Sequence, residues 1–338
     1  MNTRLPATVV WSILESDIEK RVQPLPVDPT RVILIVGPTA SGKSALALAA
    51  ARRMEGAEIV SADSMQIYRG MDIGTAKPSS ALRAEIPHHL LDIADPHASG
   101  FTVENWLSAA RELLAAFATS GKVAIIVGGT NLYVQALLSG LFEGPPADPE
   151  LRARLQTLEP DALHAQLQQV DPAAAARIHR NDARRLIRAL EVHALTGRPL
   201  SEHQQQWHAK PHVLPSAWRC IGLLPDNAAN ARAINARVVH MMDAGLLEEV
   251  RALLARGPLG VQAAEAVGYR ELSLHLRGQR RLEDAIEDTK QKTRRLARQQ
   301  RTWLRRFRQI PNSIWSTDLL DEAGAEIFFE NVLGREIS

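Results

Sequence analysis

The sequence predicts an α/β fold in which helices flank a parallel sheet core, with an inserted all-helical domain. Three observations support this. An apolar segment of strand length, Val32–Val36, precedes a glycine-containing loop and an alanine-rich helical run, Ser44–Arg53. Two more strand-like segments, Glu58–Ser61 and Val123–Val127, are far enough apart for the helical crossovers that parallel strands require. A long stretch of helical periodicity, rich in Ala, Leu, Gln and Arg, then precedes a returning strand at Trp218–Leu223.

The loop after the first strand matches the phosphate-cradling pattern G-x-x-x-x-G-K-[ST] in its required strand–loop–helix context. Its residues are Gly37, Pro38, Thr39, Ala40, Ser41, Gly42, Lys43 and Ser44. The glycines allow tight wrapping, so that backbone N–H groups converge on an anion at the positive end of the next helix. Lys43 adds a mobile positive charge, and the Ser44 hydroxyl can hold Mg²⁺. The core is therefore predicted to be of the P-loop type and to bind a di- or triphosphate.

The ends of the later strands argue against an ordinary ATPase. Such an enzyme needs an acidic residue at the end of a later apolar strand to hold Mg²⁺. The strand Val123–Val127 ends in GGTN at 128–131, whereas the strand Glu58–Ser61 leads to Asp63. Because sites in open parallel sheets form at the carboxyl ends of the strands, we expect Asp63 and Thr130 near the phosphate loop. From local sequence alone, Asp63 is also compatible with a helix cap or a turn residue.

Composition bounds the class of protein. The chain has 338 residues, enough for about two domains. Its 45% hydrophobic and 23% charged residues are typical of a globular protein in water. No apolar run approaches the roughly 20 residues that span a bilayer, no secretory signal pattern opens the chain, and the single cysteine excludes an internal disulfide. We therefore expect a cytoplasmic protein that does not bind membranes.

Changes in composition suggest the domain boundaries. Residues 1–30 form an N-terminal extension to which the sequence assigns no role. Residues 31–145 and 216–338 are predicted to form the P-loop core with its C-terminal helices. The linker-like sequence GPPADP at 144–149 introduces the inserted helical domain, residues 146–215. This domain would act as a lid or clamp for a large substrate, or serve as passive helical decoration.

Positive charge is concentrated near the C-terminal end, although the net charge of the chain is only +2. The segment 293–308 holds seven arginines and no acidic residue. Four apolar residues fall near one face at helical spacing: Leu296, Trp303, Leu304 and Phe307. The arginines would form a basic stripe on the remaining surface, which predicts nucleic-acid contact because guanidinium groups bind phosphate with two parallel hydrogen bonds. A solvated amphipathic helix is the alternative.

Taken together, these residues resemble the bacterial tRNA dimethylallyltransferases, also called tRNA isopentenyltransferases. The resemblance extends from Val32 to about Phe307 and rests on blocks in a fixed order: GPTASGKS at 37–44, SADSMQIYRGMDIGTAKP at 61–78, IPHHLLDI at 86–93, GGTNLYV at 128–134, RRLIRALEV at 184–192, EAVGYRE at 265–271 and TRRLARQQRTWLR at 293–305. It implies transfer of a dimethylallyl group from dimethylallyl diphosphate to the exocyclic amine of the adenosine 3′ to the anticodon. The implied partners are the tRNA anticodon stem-loop and the diphosphate donor. The phosphate loop predicts Mg²⁺ as cofactor, and a monomer is the expected state.

The same resemblance implies roles for individual residues. Asp63 is implied as the general base for the acceptor amine, Thr130 as its neighbour, and Arg237 as the group that stabilises charge on the leaving diphosphate. On spacing alone, Arg237 reads as a surface arginine of an amphipathic helix. The residues implied to contact tRNA are Asp63, Ser64, Met65, Gln66, Thr130, Arg152, Arg184, Arg185, Leu186, Ile187, Arg188, Glu265, Ala266, Val267, Gly268, Tyr269, Arg270, Arg294 and Arg298. Tyr269 is compatible either with packing against a flipped base or with a core position.

Two other classes of function stay open at this point. A small-molecule kinase that uses ATP would also need one phosphate loop, but it should lack the basic segment and the GGTNLY sequence. An RNA-stimulated NTPase would need acidic metal ligands at strand ends, which the sequence does not show.

Overall fold

The computed structural model describes residues 31–141, 144–203 and 213–333. The predicted N-terminal extension, residues 1–30, lies outside the described residues, and so does the end of the predicted helical stretch at 204–212. The chain forms two compact units: one comprises the residues up to 138 and from 212 onward, and the other comprises residues 139–211.

The core of the first unit is a sheet of six parallel strands. In chain order the strands are β1 (Val32–Val36), β2 (Ala57–Ser61), β3 (His88–His89), β4 (Val123–Gly128), β5 (Trp218–Leu223) and β6 (Ile314–Ser316). Their spatial order is β3-β2-β4-β1-β5-β6, so that β1 lies between β4 and β5. Every residue of β1 is buried, as expected for a central parallel strand that is covered on both faces. The predicted α/β fold with a parallel sheet core is confirmed.

Helices connect the strands and form the rest of both units. Before the second unit come α1 (Lys43–Arg53), α2 (Ser80–Glu85), α3 (Val103–Ser120) and α4 (Asn131–Ser139). The second unit contains α5 (Pro149–Gln156), α6 (Pro160–Val170), α7 (Pro172–Ala175), α8 (Ala183–Thr196) and α9 (Leu200–His203). After β5 follow α10 (Asn227–Asp243), α11 (Leu246–Ala255), α12 (Val261–Ala264), α13 (Tyr269–Leu276), α14 (Leu282–Phe307) and α15 (Glu322–Phe328), with a π-helical turn at Phe329–Leu333. None of the helices in the described ranges is long and apolar enough to cross a membrane.

The second unit has an apolar core of its own. Leu186 and Leu190 of α8 pack in one cluster with Leu163 and Leu167 of α6. Prolines begin α5, α6 and α7, a position where the missing N–H costs nothing. These signals come from the local sequence, which is why the helical character of this segment could be predicted.

Helix α14 carries the basic segment, and its buried face differs from the prediction. The buried residues of its C-terminal half are Ala297, Gln300, Leu304 and Phe307. Leu296 is 38% exposed and Trp303 is only partly buried. The prediction that these two share the buried face is therefore wrong. With about 3.6 residues per turn, positions 297, 300, 304 and 307 form one buried stripe along the helix. Leu296 and Trp303 lie beside the centre of this stripe. One of its four residues, Gln300, is polar.

Candidate active site

Loops that follow four neighbouring strands meet at one edge of the sheet. The loop 37–42 follows β1, and further loops begin after β2, β4 and β5. Because the strands are parallel, their carboxyl ends lie at the same edge. The backbone N–H of Thr130, after β4, donates to the carbonyl oxygen of Ala62, after β2, at 3.2 Å. The structure therefore brings together the phosphate loop, Asp63 and Thr130.

The phosphate loop has a backbone that few residues allow. Gly42, at the start of α1, has a φ of 92°, in the left-handed region that favours glycine. A Cβ at this position would also lie 2.2 Å from the carbonyl oxygen of Leu320. Ala40 has a φ of 57° without being glycine, so neighbouring groups must hold its conformation. The loop leads into the N-terminus of α1, where unpaired N–H groups and the helix dipole favour an anion.

Two cations of the site lie close together beside one carboxylate. Lys43 is buried and donates from Nζ to the carbonyl oxygen of Pro38 at 2.6 Å. Arg237 of α10 points its Nη1 at Thr39 Oγ1, 3.4 Å away. Burial and the charge of Arg237 lower the pKa of Lys43 to about 7, while Asp63 acts in the opposite direction. Burial likewise lowers the pKa of Arg237, again against the effect of Asp63. Arg237 is therefore no ordinary surface arginine.

The low pKa of Lys43 predicts that the affinity for inorganic diphosphate falls as the pH rises through 7. An anion binds the protonated form, and the protonated fraction decreases above a pKa of about 7. If only this form binds, affinity at pH 8 should be about tenfold below that at pH 6. The measurement is titration calorimetry with inorganic diphosphate at both pH values.

The control for this prediction is Lys43→Arg, whose side chain stays charged throughout the window. Dividing the wild-type affinity by that of the variant at each pH removes the titration of the diphosphate itself. A constant ratio from pH 6 to pH 8 would show that Lys43 does not titrate there.

Asp63 is held by the turn that follows β2. Its Oδ1 accepts hydrogen bonds from the backbone N–H groups of Met65 at 2.8 Å and Gln66 at 3.4 Å. Asp63 is thus a turn residue, as its local sequence allows. The bonds also orient the carboxylate, and among the described residues Oδ2 receives no hydrogen bond. This second oxygen is the one that can accept a proton from a substrate.

Thr130 and Gln66 hold the same turn from other directions. Thr130 Oγ1 accepts from the backbone N–H of Ser64 at 2.8 Å and donates to Ser64 Oγ at 3.2 Å. Gln66 Oε1 accepts from Ser61 Oγ at 2.8 Å. Trp106 of α3 donates from its indole to the carbonyl oxygen of Ser61 at 3.0 Å. Thr130 therefore acts on Asp63 through the turn and not by direct contact.

Comparison with known proteins agrees with this geometry. The family model described as IPP transferase matches residues 66–307, and the one described as isopentenyl transferase matches residues 30–88. The chain belongs to the IPP transferase family. The tRNA dimethylallyltransferase of Geobacter metallireducens is 45% identical over 85% of this chain and 93% of its own length. That of Halorhodospira halophila is 48% identical over 81% of this chain and 89% of its own length.

Solved structures of family members have the same fold. The tRNA isopentenylpyrophosphate transferase of Bacillus halodurans has a TM-score of 0.64 at 37% identity and covers 91% of this chain and 96% of its own. A eukaryotic dimethylallyltransferase described as acting on tRNA has a TM-score of 0.73 at 26% identity, over 91% of this chain and 78% of its own. The resemblance noted in the sequence is confirmed, and this member of the family is a transferase. The kinase and NTPase alternatives find no support.

Tyr269 of this IPP transferase is a core residue. Its side chain is fully buried, and its hydroxyl donates to Glu249 Oε1 at 2.6 Å. Burial and the neighbouring Glu249 raise the pKa of Tyr269. Glu249 also accepts from the backbone N–H groups of Asp72 at 2.9 Å and Ile73 at 2.8 Å, so the pair fixes the turn at 72–74. Sequence reasoning missed Glu249, because a single glutamate on an amphipathic helix carries no signal.

In the helical unit, two arginines implied to contact tRNA converge on one buried carboxylate. Glu191 of α8 accepts two hydrogen bonds from Arg152, at 2.7 and 2.8 Å, and one from Arg188 at 2.5 Å. Burial alone would raise the pKa of Glu191, but these bonds outweigh it and hold the pKa below its usual value. The side chains of Arg152 and Arg188 stay 39% and 35% exposed. Both guanidinium groups are thus fixed in place and still accessible.

The other residues implied to contact tRNA divide by exposure. The exposed ones are Arg184, Arg185, Glu265, Arg270 and Arg298. The buried ones are Leu186, Ile187, Ala266, Gly268 and Tyr269, while Val267 is partly buried. The side chains of Leu186, Ile187, Ala266 and Tyr269 pack inside the protein and Gly268 has none, so contact of these positions with tRNA stays a prediction. Arg294 is partly buried and donates to Asn235 Oδ1 at 2.5 Å, so it is already bound within the protein.

Proposed function

We propose that this chain transfers the dimethylallyl group of dimethylallyl diphosphate to the exocyclic amine of the adenosine 3′ to the anticodon of tRNA, as a cytoplasmic monomer. The observation that carries the proposal is the group formed by Lys43, Arg237 and Asp63 at the phosphate loop. It offers positive charge for a leaving diphosphate and a carboxylate for an acceptor. The names of the family members above supply the substrate classes, dimethylallyl donor and tRNA.

The reaction exchanges a C–O bond for a C–N bond and moves one proton. The bond between C1 of the dimethylallyl group and the diphosphate oxygen breaks, and its electron pair leaves with the diphosphate. The amine nitrogen bonds to C1, and its proton passes to Oδ2 of Asp63. Charge on the leaving oxygen is stabilised by backbone N–H groups of the loop, Lys43 and Arg237. The proton then passes from Asp63 to solvent.

This reaction needs no acidic residue at the end of β4. A Cβ at Gly128 would lie 2.1 Å from the carbonyl oxygen of Ala62, so glycine is required there for the close approach of two loops. The strand end that would carry a metal-binding acid in a hydrolytic P-loop enzyme serves here to support the turn of Asp63.

The residues present fit Mg²⁺ if the diphosphate supplies most of its ligands. No group of three or more His, Cys, Asp or Glu side chains in the described ranges could hold a metal ion. Mg²⁺ usually keeps several waters and binds through one or two protein oxygens plus substrate phosphates. Ser44 is exposed at the first turn of α1 and would contribute one hydroxyl oxygen. A bound Mg²⁺ would neutralise charge on the diphosphate.

Basic surfaces support RNA as the acceptor. The target base must leave its stack to reach the donor, and the RNA around it must be held while it does. Helix α14 presents exposed arginines, among them Arg298 and Arg305. On the same helix the guanidinium of Arg306 lies 5.6 Å from the ring centre of Trp303, and aromatic rings and arginines are the side chains on which unstacked bases stack.

The experiment that tests the proposed function is incubation of the purified protein with dimethylallyl diphosphate and unmodified tRNA. Mass spectrometry of the digested nucleosides should show adenosine heavier by one five-carbon prenyl unit. Parallel reactions with ATP, with and without tRNA, should show no phosphate release above background. Phosphate release together with unmodified adenosine would reject the proposal in favour of an NTPase.

Neutralising two exposed arginines of α14, Arg298→Gln with Arg305→Gln, is expected to weaken tRNA binding. Phosphate contacts position the RNA without reading its sequence, so the loss should be similar for different tRNAs. The slope of log affinity against log salt should fall by about 0.7 for each lost contact with single-stranded RNA. The Michaelis constant for the donor should not change, because neither arginine contacts the phosphate loop. The measurement is tRNA affinity between low and moderate salt.

A matched control is Arg31→Gln with Arg52→Gln. Arg31 precedes β1 and Arg52 is near the end of α1, so both are at the opposite edge of the sheet from the phosphate loop. The control removes the same charge from a surface without a proposed RNA contact. If both double variants give the same affinities and salt slopes, α14 is only a solvated helix face.

A further inference from the structure

Gln300 is a polar residue in the buried stripe of α14, and its side-chain amide joins two loops of the site. Oε1 accepts a hydrogen bond from the backbone N–H of Thr39 at 2.8 Å. Nε2 donates to the carbonyl oxygen of Gly129 at 2.9 Å. Asn131 donates from its amide to the backbone carbonyl of Gln300 at 3.2 Å. One amide therefore connects the phosphate loop after β1 to the loop after β4.

The absence of a side chain at Gly129 leaves the space that the Gln300 amide occupies. A Cβ at position 129 would lie 2.5 Å from Gln300 Nε2. Any other residue would push the amide away, so Gly129 and Gln300 fit as a pair. A glycine at 129 therefore leaves room for the hydrogen bond from Gln300.

Asn230 of α10 holds the next part of the same loop. It is 2% exposed, and its Nδ2 donates to the carbonyl oxygens of Thr39 at 2.9 Å and Ala40 at 3.1 Å. Arg301 approaches Asn230 Oδ1 at 3.3 Å and donates to the carbonyl oxygen of Pro225 at 2.5 Å. The Asn230 amide is thus oriented by a residue that follows Gln300 on α14.

The side-chain amides of Gln300 and Asn230 bind the phosphate loop next to Ala40, the residue of the loop with an unfavourable backbone conformation. Gln300 accepts from the N–H of Thr39, and Asn230 donates to the carbonyl oxygens of Thr39 and Ala40, which lie on either side of the Ala40 Cα. Ala40 has a positive φ, which an alanine adopts only when its surroundings impose it. The Thr39 side chain, in turn, is the group that Arg237 approaches.

We propose that Gln300 and Asn230 are positioning residues that hold the phosphate loop in its anion-binding shape. Neither touches the reacting atoms. They act through the backbone of Thr39 and Ala40, so that the N–H groups of the loop are already aligned when the diphosphate arrives. The inference rests on the proposed function, because it takes the loop to be the site of the donor diphosphate.

The experiment compares Gln300→Ala and Asn230→Ala with Gln299→Ala, an exposed neighbour on the same helix. The readouts are inorganic diphosphate affinity by calorimetry, Michaelis constants for donor and tRNA, and thermal unfolding. Gln300→Ala and Asn230→Ala each remove a buried hydrogen-bonding partner of the phosphate loop. Each should weaken diphosphate binding by about tenfold and raise the donor Michaelis constant by a similar factor. Gln299→Ala should leave all values at wild-type level, and the tRNA Michaelis constant should stay unchanged in all three.

A purely structural role predicts something else: lower thermal stability and fewer active molecules, with unchanged Michaelis constants. That result, or diphosphate affinities within about twofold of wild type, would overturn the positioning role. If a variant fails to fold, Gln300→Glu replaces it, since Glu can still accept from Thr39 but cannot donate to Gly129. Because its second carboxylate oxygen would face the Gly129 carbonyl oxygen, diphosphate affinity should fall, and wild-type affinity would count against the proposal.

Lys43→Ala separates this inference from the proposed function. Unchanged diphosphate binding in Lys43→Ala would mean that the loop is not the donor site, and the proposed function would fail. Loss of binding in Lys43→Ala with normal binding in Gln300→Ala and Asn230→Ala would reject the positioning role alone.

Discussion

Replacing Asp63 by asparagine is expected to slow prenyl transfer by about 10²–10⁴-fold, the range that general base catalysis supplies. Asparagine keeps an oxygen that can accept from the N–H of Met65, so the turn should survive. It cannot take the proton of the acceptor amine. Because the Asp63 carboxylate raises the pKa of Lys43, donor affinity is compared at pH 6, below the wild-type pKa of about 7, where it should change least. Single-turnover rates with both substrates saturating measure the effect.

The matched control for Asp63→Asn is Asp95→Asn. Asp95 also accepts a hydrogen bond from the backbone N–H two residues later, that of His97, at 2.9 Å. Both substitutions remove one carboxylate charge and keep one turn, but only Asp63 lies beside the phosphate loop. A rate for Asp63→Asn within about twofold of wild type would exclude Asp63 as the base.

Replacing Arg237 by alanine is expected to lower the rate of transfer by about 10²–10³-fold, as removal of a donor to a developing oxyanion does. The charge that Arg237 meets grows as the diphosphate leaves, so kcat should fall more than the donor Michaelis constant rises. Lys43→Ala should instead change both strongly, since Lys43 is buried within the loop itself. Steady-state kinetics with varied donor at saturating tRNA separates the two effects.

Arg232→Ala is the control for Arg237→Ala. Arg232 is exposed on the same helix, so its removal tests the loss of one positive charge from α10 without a contact at the phosphate loop. If Arg232→Ala and Arg237→Ala have equal rates, the role of Arg237 at the leaving group is wrong.

Local sequence predicts the strands and the phosphate loop, because their residues are close together in the chain. Apolar runs become β1, β4 and β5 within one residue of their predicted ends, since Val and Ile favour strands that are buried on both faces. The phosphate loop was evident because its glycines and lysine must occur at fixed spacing. The edge of the sheet where Asp63 and Thr130 lie followed from the rule for parallel strands.

Contacts between distant segments could not be predicted in this way. Gln300 contacts Thr39 across 261 positions of sequence, and a glutamine among arginines reads as a surface residue. Apolar character predicts Leu296 on the buried face of α14, but it does not fix where the centre of the buried stripe lies. Local sequence allows Tyr269 to be a core or a binding residue, and the hydrogen bond from its hydroxyl to Glu249 identifies it as a core residue. Each of these depends on a partner that only the folded chain brings near.

The most direct test of the central claim is the stoichiometry of a single-turnover reaction with an anticodon stem-loop RNA. One RNA carries adenosine 3′ to the anticodon, and the other carries inosine there, which has an oxygen in place of the exocyclic amine. The account predicts one prenyl group on that adenosine, one diphosphate released for each prenyl group transferred, and no transfer to the inosine RNA. Equal prenylation of both RNAs, or diphosphate release without prenylated adenosine, would contradict it.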